Sequence, residues 1–196
     1  RGWYYPDNPG LGRLSAFDKD TNHWFLGREK TIAAILERPW IAGSFQWSGI
    51  EHRGETVWPR LCSASGAVDL FLNKKDAFYQ NKSLWTKAPM VHILPTWNMP
   101  EREGETVRVV VYTNCESVEL FQDGRSVGKQ VVKPVSHAEW NICYKPGRLT
   151  AVGVKNGSEV SETIETSGAA EELKLEIVSE MPVSGKRDAV LIKCSC

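Results

Sequence analysis

The chain has 196 residues, enough for one large domain or two small ones. Its 24 Lys and Arg residues balance 24 Asp and Glu residues, so the formal net charge is +0. Nucleic-acid-binding proteins concentrate basic charge, and this chain has only isolated basic pairs, so the sequence argues against a nucleic-acid partner. The hydrophobic content of 41% is typical of a folded protein, and no apolar run approaches the roughly 20 residues of a membrane span.

Residues 1–25 are rich in Gly, Pro and Asp and also contain aromatic residues such as Trp3 and Trp24. This composition predicts a long loop of turns, and the aromatic residues argue against disorder. The first residues show neither an initiator Met nor the basic and apolar regions of a signal peptide. We therefore expect the chain to start inside a longer protein, and we expect its C-terminus to be a boundary of the same kind.

The next segment predicts a helix, a strand, a long loop and a second helix. Residues 29–38 have apolar side chains at helical spacing, and Pro39 should end that helix. Residues 41–47 (IAGSFQW) are mostly small or apolar and suit an interior parallel strand. Residues 75–85 predict the second helix. This order is typical of an α/β barrel or a doubly wound sheet.

After Pro89 the pattern changes to short β-strands. Seven of them are predicted, at residues 90–94, 106–112, 118–122, 125–128, 140–144, 149–154 and 160–166. Asp123-Gly124 and Asn156-Gly157 are strong signals for type I′ hairpin turns. Strands at roughly 8–12-residue spacing indicate an Ig-like β-sandwich. Two further strands, at 173–178 and 190–194, begin a unit too short to close a core of its own. From the residues alone, the predicted fold class is therefore an α/β piece, open between a barrel and a doubly wound sheet, joined to an all-β sandwich.

The cysteines favour neither a metal site nor a cofactor. The five are Cys62, Cys115, Cys143, Cys194 and Cys196, and none belongs to a Cys-x-x-Cys pair, so we expect no zinc site. Cys115 and Cys143 lie in strand-like runs. A disulfide between them is one interpretation, and two free buried thiols is the favoured one.

The loop after Trp47 holds the best candidate chemistry, with Glu51, His52, Arg53 and Glu55. Paired carboxylates can perform glycosidase acid/base catalysis, but catalytic pairs in barrels come from different strands, whereas both of these lie in one loop. A solvated polar loop is therefore the favoured reading. The sequence has no Gly-x-Ser-x-Gly, P-loop or His-x-x-x-His motif. The histidines His23, His92 and His137 are scattered, and we interpret them as structural.

Linked motifs resemble glycoside hydrolase family 2, the β-galactosidase family. Residues 37–49 (ERPWIAGSFQWSG) resemble its last barrel strand, and residues 66–80 resemble the segment that closes the barrel. Residues 87–98 (KAPMVHILPTWN) and 113–124 resemble the Ig-like domain that follows. The similarity runs from about residue 1 to residue 178.

The resemblance implies retaining, exo-acting hydrolysis by two glutamates, with no cofactor and no metal. Residues 1–5 (RGWYY) resemble the segment just downstream of the family's nucleophile. Both glutamates would then precede residue 1. No residue of this chain would be catalytic, and the chain alone should be inactive.

The substrate-binding residues that the resemblance implies are Trp47, Glu51, His52 and Arg53. Trp47 would form a wall of the sugar pocket, although a core role for it stays open. The other three would bind sugar hydroxyls or brace the loop, and Trp58, Ser63 and Ser65 are weaker rim candidates. A β-galactoside or related oligosaccharide is the expected substrate. The family's β-glucuronidase branch binds the sugar carboxylate with an Asn-x-Lys clamp that precedes the Gly-aliphatic segment. In this chain residues 73–74 (Asn-Lys) follow that segment, so a β-glucuronidase is the less favoured interpretation.

The expected organisation has three parts: a barrel end at 1–86, an Ig-like sandwich at 87–168 and the start of a further Ig-like domain at 169–196. One strand cannot close a barrel, so residues 41–47 should expose apolar surface unless they pack on the sandwich, meet another chain that supplies the remainder of the barrel, or are covered in a homo-oligomer.

The resemblance suggests a periplasmic or secreted bacterial enzyme. The alternative hypothesis is a non-catalytic carbohydrate-binding or scaffolding module using Trp97 or Trp140, although packing roles are favoured for both.

Overall fold

A computed structural model describes residues 27–54, 62–63, 65–169, 171–178, 190 and 192–195. The chain divides into two compact units, Arg1–Thr166 and Ser167–Cys196. The predicted aromatic loop at 1–25 (with His23), as well as Glu55 and Trp58, lies outside the described residues. The fold is mostly β, with two α-helices in the described part of the chain. The predicted boundary between residues 86 and 87 stays a prediction.

Both predicted helices are present. Helix α1 spans Arg28–Leu36, and helix α2 spans Asp76–Trp85. Helix α1 ends three residues before Pro39, as expected because a proline removes a backbone donor and clashes with the preceding turn. A short 3₁₀ helix follows at Pro100–Arg102. Neither α-helix has the length and hydropathy needed to cross a bilayer.

Seven antiparallel strands form two sheets in the first unit. The strands are β1 (Val91–Leu94), β2 (Thr106–Thr113), β3 (Ser117–Gln122), β4 (Arg125–Val131), β5 (His137–Cys143), β6 (Arg148–Lys155) and β7 (Ser158–Glu165). One sheet has the order β1-β2-β5, and the other has the order β4-β3-β6-β7. All seven strands were predicted, and β5 begins three residues earlier than expected.

The two predicted hairpin turns are confirmed by their backbone angles. Asp123 and Gly124 have φ of 49° and 77°, and Asn156 and Gly157 have φ of 48° and 76°. A type I′ turn needs positive φ at both central residues, which Asn, Asp and Gly tolerate best. These turns fix the registers of β3 with β4 and of β6 with β7.

The two sheets pack face to face around one hydrophobic core, which makes the unit a β-sandwich. Val107, Val109 and Val111 of β2 face Val118 and Leu120 of β3, and all five are 0–2% exposed. Burial of each such side chain is worth about 1.5–3 kcal/mol. Trp97 and Trp140 belong to the same core at 1% and 7% exposure, so the packing roles predicted for both are confirmed.

The outer face of the three-stranded sheet is also buried. Leu94, Val110 and Tyr112 form a second apolar cluster, and side chains alternate along a strand, so they point away from the sandwich core. Helix α2 lies against β1 and β2 on this side. Burial on both faces explains why β2 reads as an almost uninterrupted run of β-branched and aromatic residues.

The second unit contains a two-stranded antiparallel ladder of β8 (Lys174–Ile177) and β9 (Ile192–Ser195). Leu173, Leu175, Ile177 and Ile192 are 53–67% exposed. Two strands cannot form a core between them, and the expectation that this segment is too short to close one stays a prediction.

The predicted strand at residues 41–47 is not formed in this chain. These residues have no regular secondary structure, and Ile41, Phe45 and Trp47 are exposed. An interior parallel strand needs neighbouring strands on both sides, and the described residues supply none beside this segment. The expected exposure of apolar surface is therefore confirmed, whereas the barrel fragment is not.

The cysteine interpretation needs one correction. No disulfide joins the described cysteines, which are Cys62, Cys115, Cys143 and Cys194, and Cys115 is buried as expected. Cys143 is exposed instead. The side-chain alternation of β5 directs Trp140 and Ile142 inward on one side and leaves Cys143 at the surface.

Candidate functional site

The candidate site is a frame of three backbone segments that meet beside Trp47. Residues 48–53 run alongside residues 62–63 and 65–68, with a parallel bridge between Ile50 and Val68 and an antiparallel bridge between Arg53 and Cys62. The Glu51 N–H donates to the Val68 carbonyl at 3.0 Å. Residues 74–75 lie on the other side, where the Lys75 N–H donates to the Ala67 carbonyl at 3.0 Å.

Gly66 lies at the centre of this frame, where the backbones come closest. A Cβ atom added at this position would lie 2.3 Å from the Glu51 nitrogen and 2.6 Å from the Val68 carbonyl oxygen. Both neighbours are backbone atoms, which cannot relieve the clash by a change of rotamer as a side chain can. Only glycine therefore fits here, and the close approach explains its place in the motif.

Trp47 projects from the start of the frame. Its side chain is 72% exposed, so a core role for Trp47 does not hold within this chain. The indole meets the imidazole of His52 at a ring-centroid distance of 5.5 Å and an interplanar angle of 74°. This edge-to-face geometry is favourable for aromatic pairs. It leaves most of the indole surface open to solvent.

His52 is held in turn by Ser63. The Ser63 hydroxyl lies 3.1 Å from His52 Nδ1 and accepts a hydrogen bond from the His52 N–H at 3.1 Å. The Ser63 N–H donates to the His52 carbonyl at 2.8 Å. Ser65, the other serine considered for the rim, lies 3.3 Å from the Ser48 hydroxyl. Both serines therefore hold the frame together.

Glu51 is an internal brace in this structure. Its Oε1 lies 2.6 Å from Lys75 Nζ, and its Oε2 accepts a hydrogen bond from Cys62 Sγ at 3.2 Å. The Glu51 and Lys75 side chains are only 12% and 19% exposed. Both carboxylate oxygens are thus used within the frame, whereas the neighbouring Arg53 is exposed.

The structure brings Trp47 and His52 into contact and directs Glu51 toward helix α2. The substrate-binding roles predicted for Trp47, Glu51, His52 and Arg53 stay predictions. Among the described residues, no group of three or more His, Cys, Asp or Glu side chains is placed to hold a metal ion.

A second polar cluster, which sequence analysis did not identify, centres on His92. Its Nε2 lies 3.0 Å from Asp76 of α2, and its Nδ1 lies 3.2 Å from Glu162 of β7. Tyr79 stacks on the imidazole at 3.7 Å. Burial alone would lower the pKa of His92, but the two carboxylates outweigh burial and raise it above the usual value. This cluster links helix α2 to both sheets.

His137 of strand β5 links helix α1 to the sandwich in a similar way. Its Nδ1 lies 2.7 Å from Glu29, and its Nε2 lies 3.4 Å from Glu139. The hydrogen bond to Glu29 is the main reason that the pKa of His137 is raised, against the opposing effect of burial. Both histidines are structural, as interpreted from the sequence. The signal for the partners Glu29, Asp76 and Glu162 was weak because these carboxylates are distant in the chain from the histidines that they contact.

Comparisons with known proteins find relatives of this chain. A family model described as a domain of unknown function, DUF4982, matches residues 104–161. A putative beta-glucuronidase from Formosa agariphila is 37% identical over 158 residues, a match that covers 76% of this chain and 15% of that protein. Beta-galactosidase BoGH2A from Bacteroides ovatus is 30% identical over 158 residues, covering 78% of this chain and 18% of that protein.

Solved structures agree with the sequence matches. A beta-glycosidase from Bacteroides vulgatus superposes with a TM-score of 0.78 at 32% identity, covering 92% of this chain and 23% of that one. A glycosyl hydrolase family 2 member from Bacteroides cellulosilyticus superposes with a TM-score of 0.68 at 26% identity, covering 76% of this chain and 25% of that one. The chain is a relative of the glycoside hydrolase family 2 proteins. It spans only 15% and 18% of the lengths of the two curated relatives described above. The family resemblance seen in the sequence is thereby confirmed.

Proposed function

We propose that this chain is the C-terminal portion of a retaining, exo-acting glycoside hydrolase and contributes one wall of its sugar pocket. The exposed indole of Trp47 is the observation that carries this proposal. A flat aromatic face matches the apolar C–H face of a pyranose, and it excludes water around an oxocarbenium-like transition state. The two catalytic glutamates would come from the polypeptide that precedes residue 1.

Residues 41–47 would form the last strand of a (β/α)₈ barrel when the remainder of the barrel is present. Two features support this proposal. The exposed apolar side chains of Ile41 and Phe45 offer a surface for neighbouring strands, and the backbone of this segment has no strand partner in the described chain. Trp47 would then stand at the C-terminal end of the strand, where barrel enzymes build their active sites.

The β-sandwich would support this barrel end. Its order of β1-β2-β5 on β4-β3-β6-β7 is compatible with an Ig-like arrangement, and His92 and His137 attach both helices to it. A carbohydrate-binding role through Trp97 and Trp140 has little support, because both side chains are buried. The Trp97 indole N–H is also committed to the Lys145 carbonyl at 3.1 Å.

We favour a β-galactoside as the substrate. The residues that precede Gly66, at positions 62–65 (CSAS), contain no Asn-x-Lys that could bind a sugar carboxylate. Asn73 is bound to Asp69, with its side-chain amide 2.9 Å from the carboxylate, and Lys74 lies over the Phe78 ring at 5.1 Å. A β-glucuronide is the second candidate, because curated relatives from Formosa agariphila and Bacteroides fragilis carry the name beta-glucuronidase.

Hydrolysis of matched aryl β-galactoside and aryl β-glucuronide by the intact protein tests this proposal. We expect kcat/KM to be at least tenfold higher for the galactoside, a difference of about 1.4 kcal/mol in transition-state binding. A preference for the glucuronide would overturn the sugar assignment, and the absence of turnover on both would overturn the hydrolase assignment. The 196-residue chain alone should show no turnover above background, and measurable hydrolysis by it would contradict the placement of both glutamates upstream.

A further inference from the structure

The ion pair between Glu51 and Lys75 joins two parts of the frame that are distant in sequence. Lys75 immediately precedes helix α2, whereas Glu51 belongs to the loop that follows Trp47. The pair is short, at 2.6 Å, and most of both side chains is withdrawn from solvent. When one partner of such a pair is removed, the other charge is left buried without compensation. The loop would then have to move to return the Glu51 carboxylate to water.

Movement of Glu51 would be transmitted to the residue beside it, His52. Glu51 is fixed by its N–H bond to Val68 and by the side-chain contacts to Lys75 and Cys62. The imidazole of His52 contacts the Trp47 indole edge to face. A continuous series of contacts therefore connects the first residue before helix α2 to the exposed indole.

We propose that Lys75 is a positioning residue for Trp47, acting through Glu51 and His52. The functional meaning of this role rests on the proposed function, since it sets the orientation of the indole that would face the sugar. The positioning itself can be measured on this chain without any sugar.

The test uses the 196-residue chain labelled with 5-fluorotryptophan and observed by ¹⁹F NMR. Trp47→Phe assigns the Trp47 resonance by its loss. In Lys75→Met we expect the Trp47 resonance to shift beyond its linewidth or to broaden, while the resonances of the buried Trp97 and Trp140 stay in place. A purely global effect on folding would instead move the two buried resonances as well.

Lys82→Met is the matched control, because it removes an exposed lysine from helix α2 and should leave the Trp47 resonance unchanged. Lys75→Arg keeps the charge and should retain most of the native Trp47 signal. An unchanged Trp47 resonance in folded Lys75→Met would overturn the proposal, as would an equal shift in Lys82→Met.

A double variant keeps the test decisive if Lys75→Met does not fold. Glu51→Gln with Lys75→Met removes the pair without leaving a buried charge, so only the contact that holds residue 51 against residue 75 is lost. If that contact positions the indole, the Trp47 resonance should still shift beyond its linewidth. A native Trp47 resonance in this double variant would overturn the positioning role. If the resonance shifts but Trp47→Ala leaves the turnover of the intact protein unchanged, the positioning stands and the pocket assignment fails.

Discussion

Asn114 clamps the segment that connects helix α2 to strand β1, and its replacement by alanine should destabilise the fold measurably. Its side-chain amide donates to the Thr86 carbonyl at 2.8 Å and to the Ala88 carbonyl at 2.7 Å. Its Oδ1 accepts from the Met90 N–H at 3.0 Å. One side chain thus satisfies three backbone groups across a sequence gap of more than twenty residues.

The expected loss follows from these three hydrogen bonds. Each is worth about 1 kcal/mol net of the exchange with water, so Asn114→Ala should lower the free energy of unfolding by about 2–3 kcal/mol. The hydrogen bond to the Ala88 carbonyl is exposed, so water can replace it in the variant. If that bond contributes nothing to stability, the loss in unfolding free energy is at its lower limit of about 2 kcal/mol. At roughly 2–4 °C per kcal/mol, the midpoint of thermal unfolding should fall by about 4–12 °C.

Urea unfolding followed by tryptophan fluorescence measures this change, because Trp97 and Trp140 are buried in the sandwich core. Asn98→Ala is the matched control, since it makes the same change at an exposed asparagine. A loss below about 0.5 kcal/mol for Asn114→Ala, equal to that of the control, would refute the reasoning that these hydrogen bonds hold the connection together.

Two further predictions concern stability. His92 has a raised pKa in the folded chain, so its stabilising contribution is complete below the unfolded value of about 6.5 and is lost as the pH rises through the folded value. The difference in unfolding free energy between the wild-type chain and His92→Gln should therefore shrink from pH 6 to pH 9, and a constant difference would contradict the two ion pairs. Gly66→Ala should cost about 1–3 kcal/mol or more in a denaturant titration, because its Cβ would collide with backbone atoms, whereas Gly49→Ala meets nothing within 4 Å and should cost far less. Equal losses at the two glycines would show that the close approach at residue 66 is unimportant.

The strands of the sandwich could be predicted because their signals are local. Residues 106–112 carry the β-branched density of a doubly buried strand, and the Asp-Gly and Asn-Gly pairs specify their turns without help from the rest of the chain. The early start of β5 was missed because residues 137–139 are polar on the outward side, where His137 and Glu139 meet partners from other elements.

The segment at 41–47 shows where local patterns fail. Its small and apolar residues suit a buried strand, but a strand also needs hydrogen-bonding neighbours, and pairing partners are a property of the whole sheet. The brace formed by Glu51 and Lys75 escaped sequence analysis for a related reason. A carboxylate in a polar loop looks solvated until the fold brings a lysine 24 residues away to within 2.6 Å.

The kcat/KM of Trp47→Ala in the intact protein tests the central claim most directly. Loss of a stacked indole should cost about 1.5–3 kcal/mol in the transition state, which corresponds to a tenfold to hundredfold lower kcat/KM. The melting temperature should change little, because Trp47 is 72% exposed in this chain, and Trp47→Phe should retain an intermediate rate. We predict this large loss of rate with the fold intact. A Trp47→Ala enzyme with unchanged kcat/KM would contradict the assignment of Trp47 to the sugar pocket.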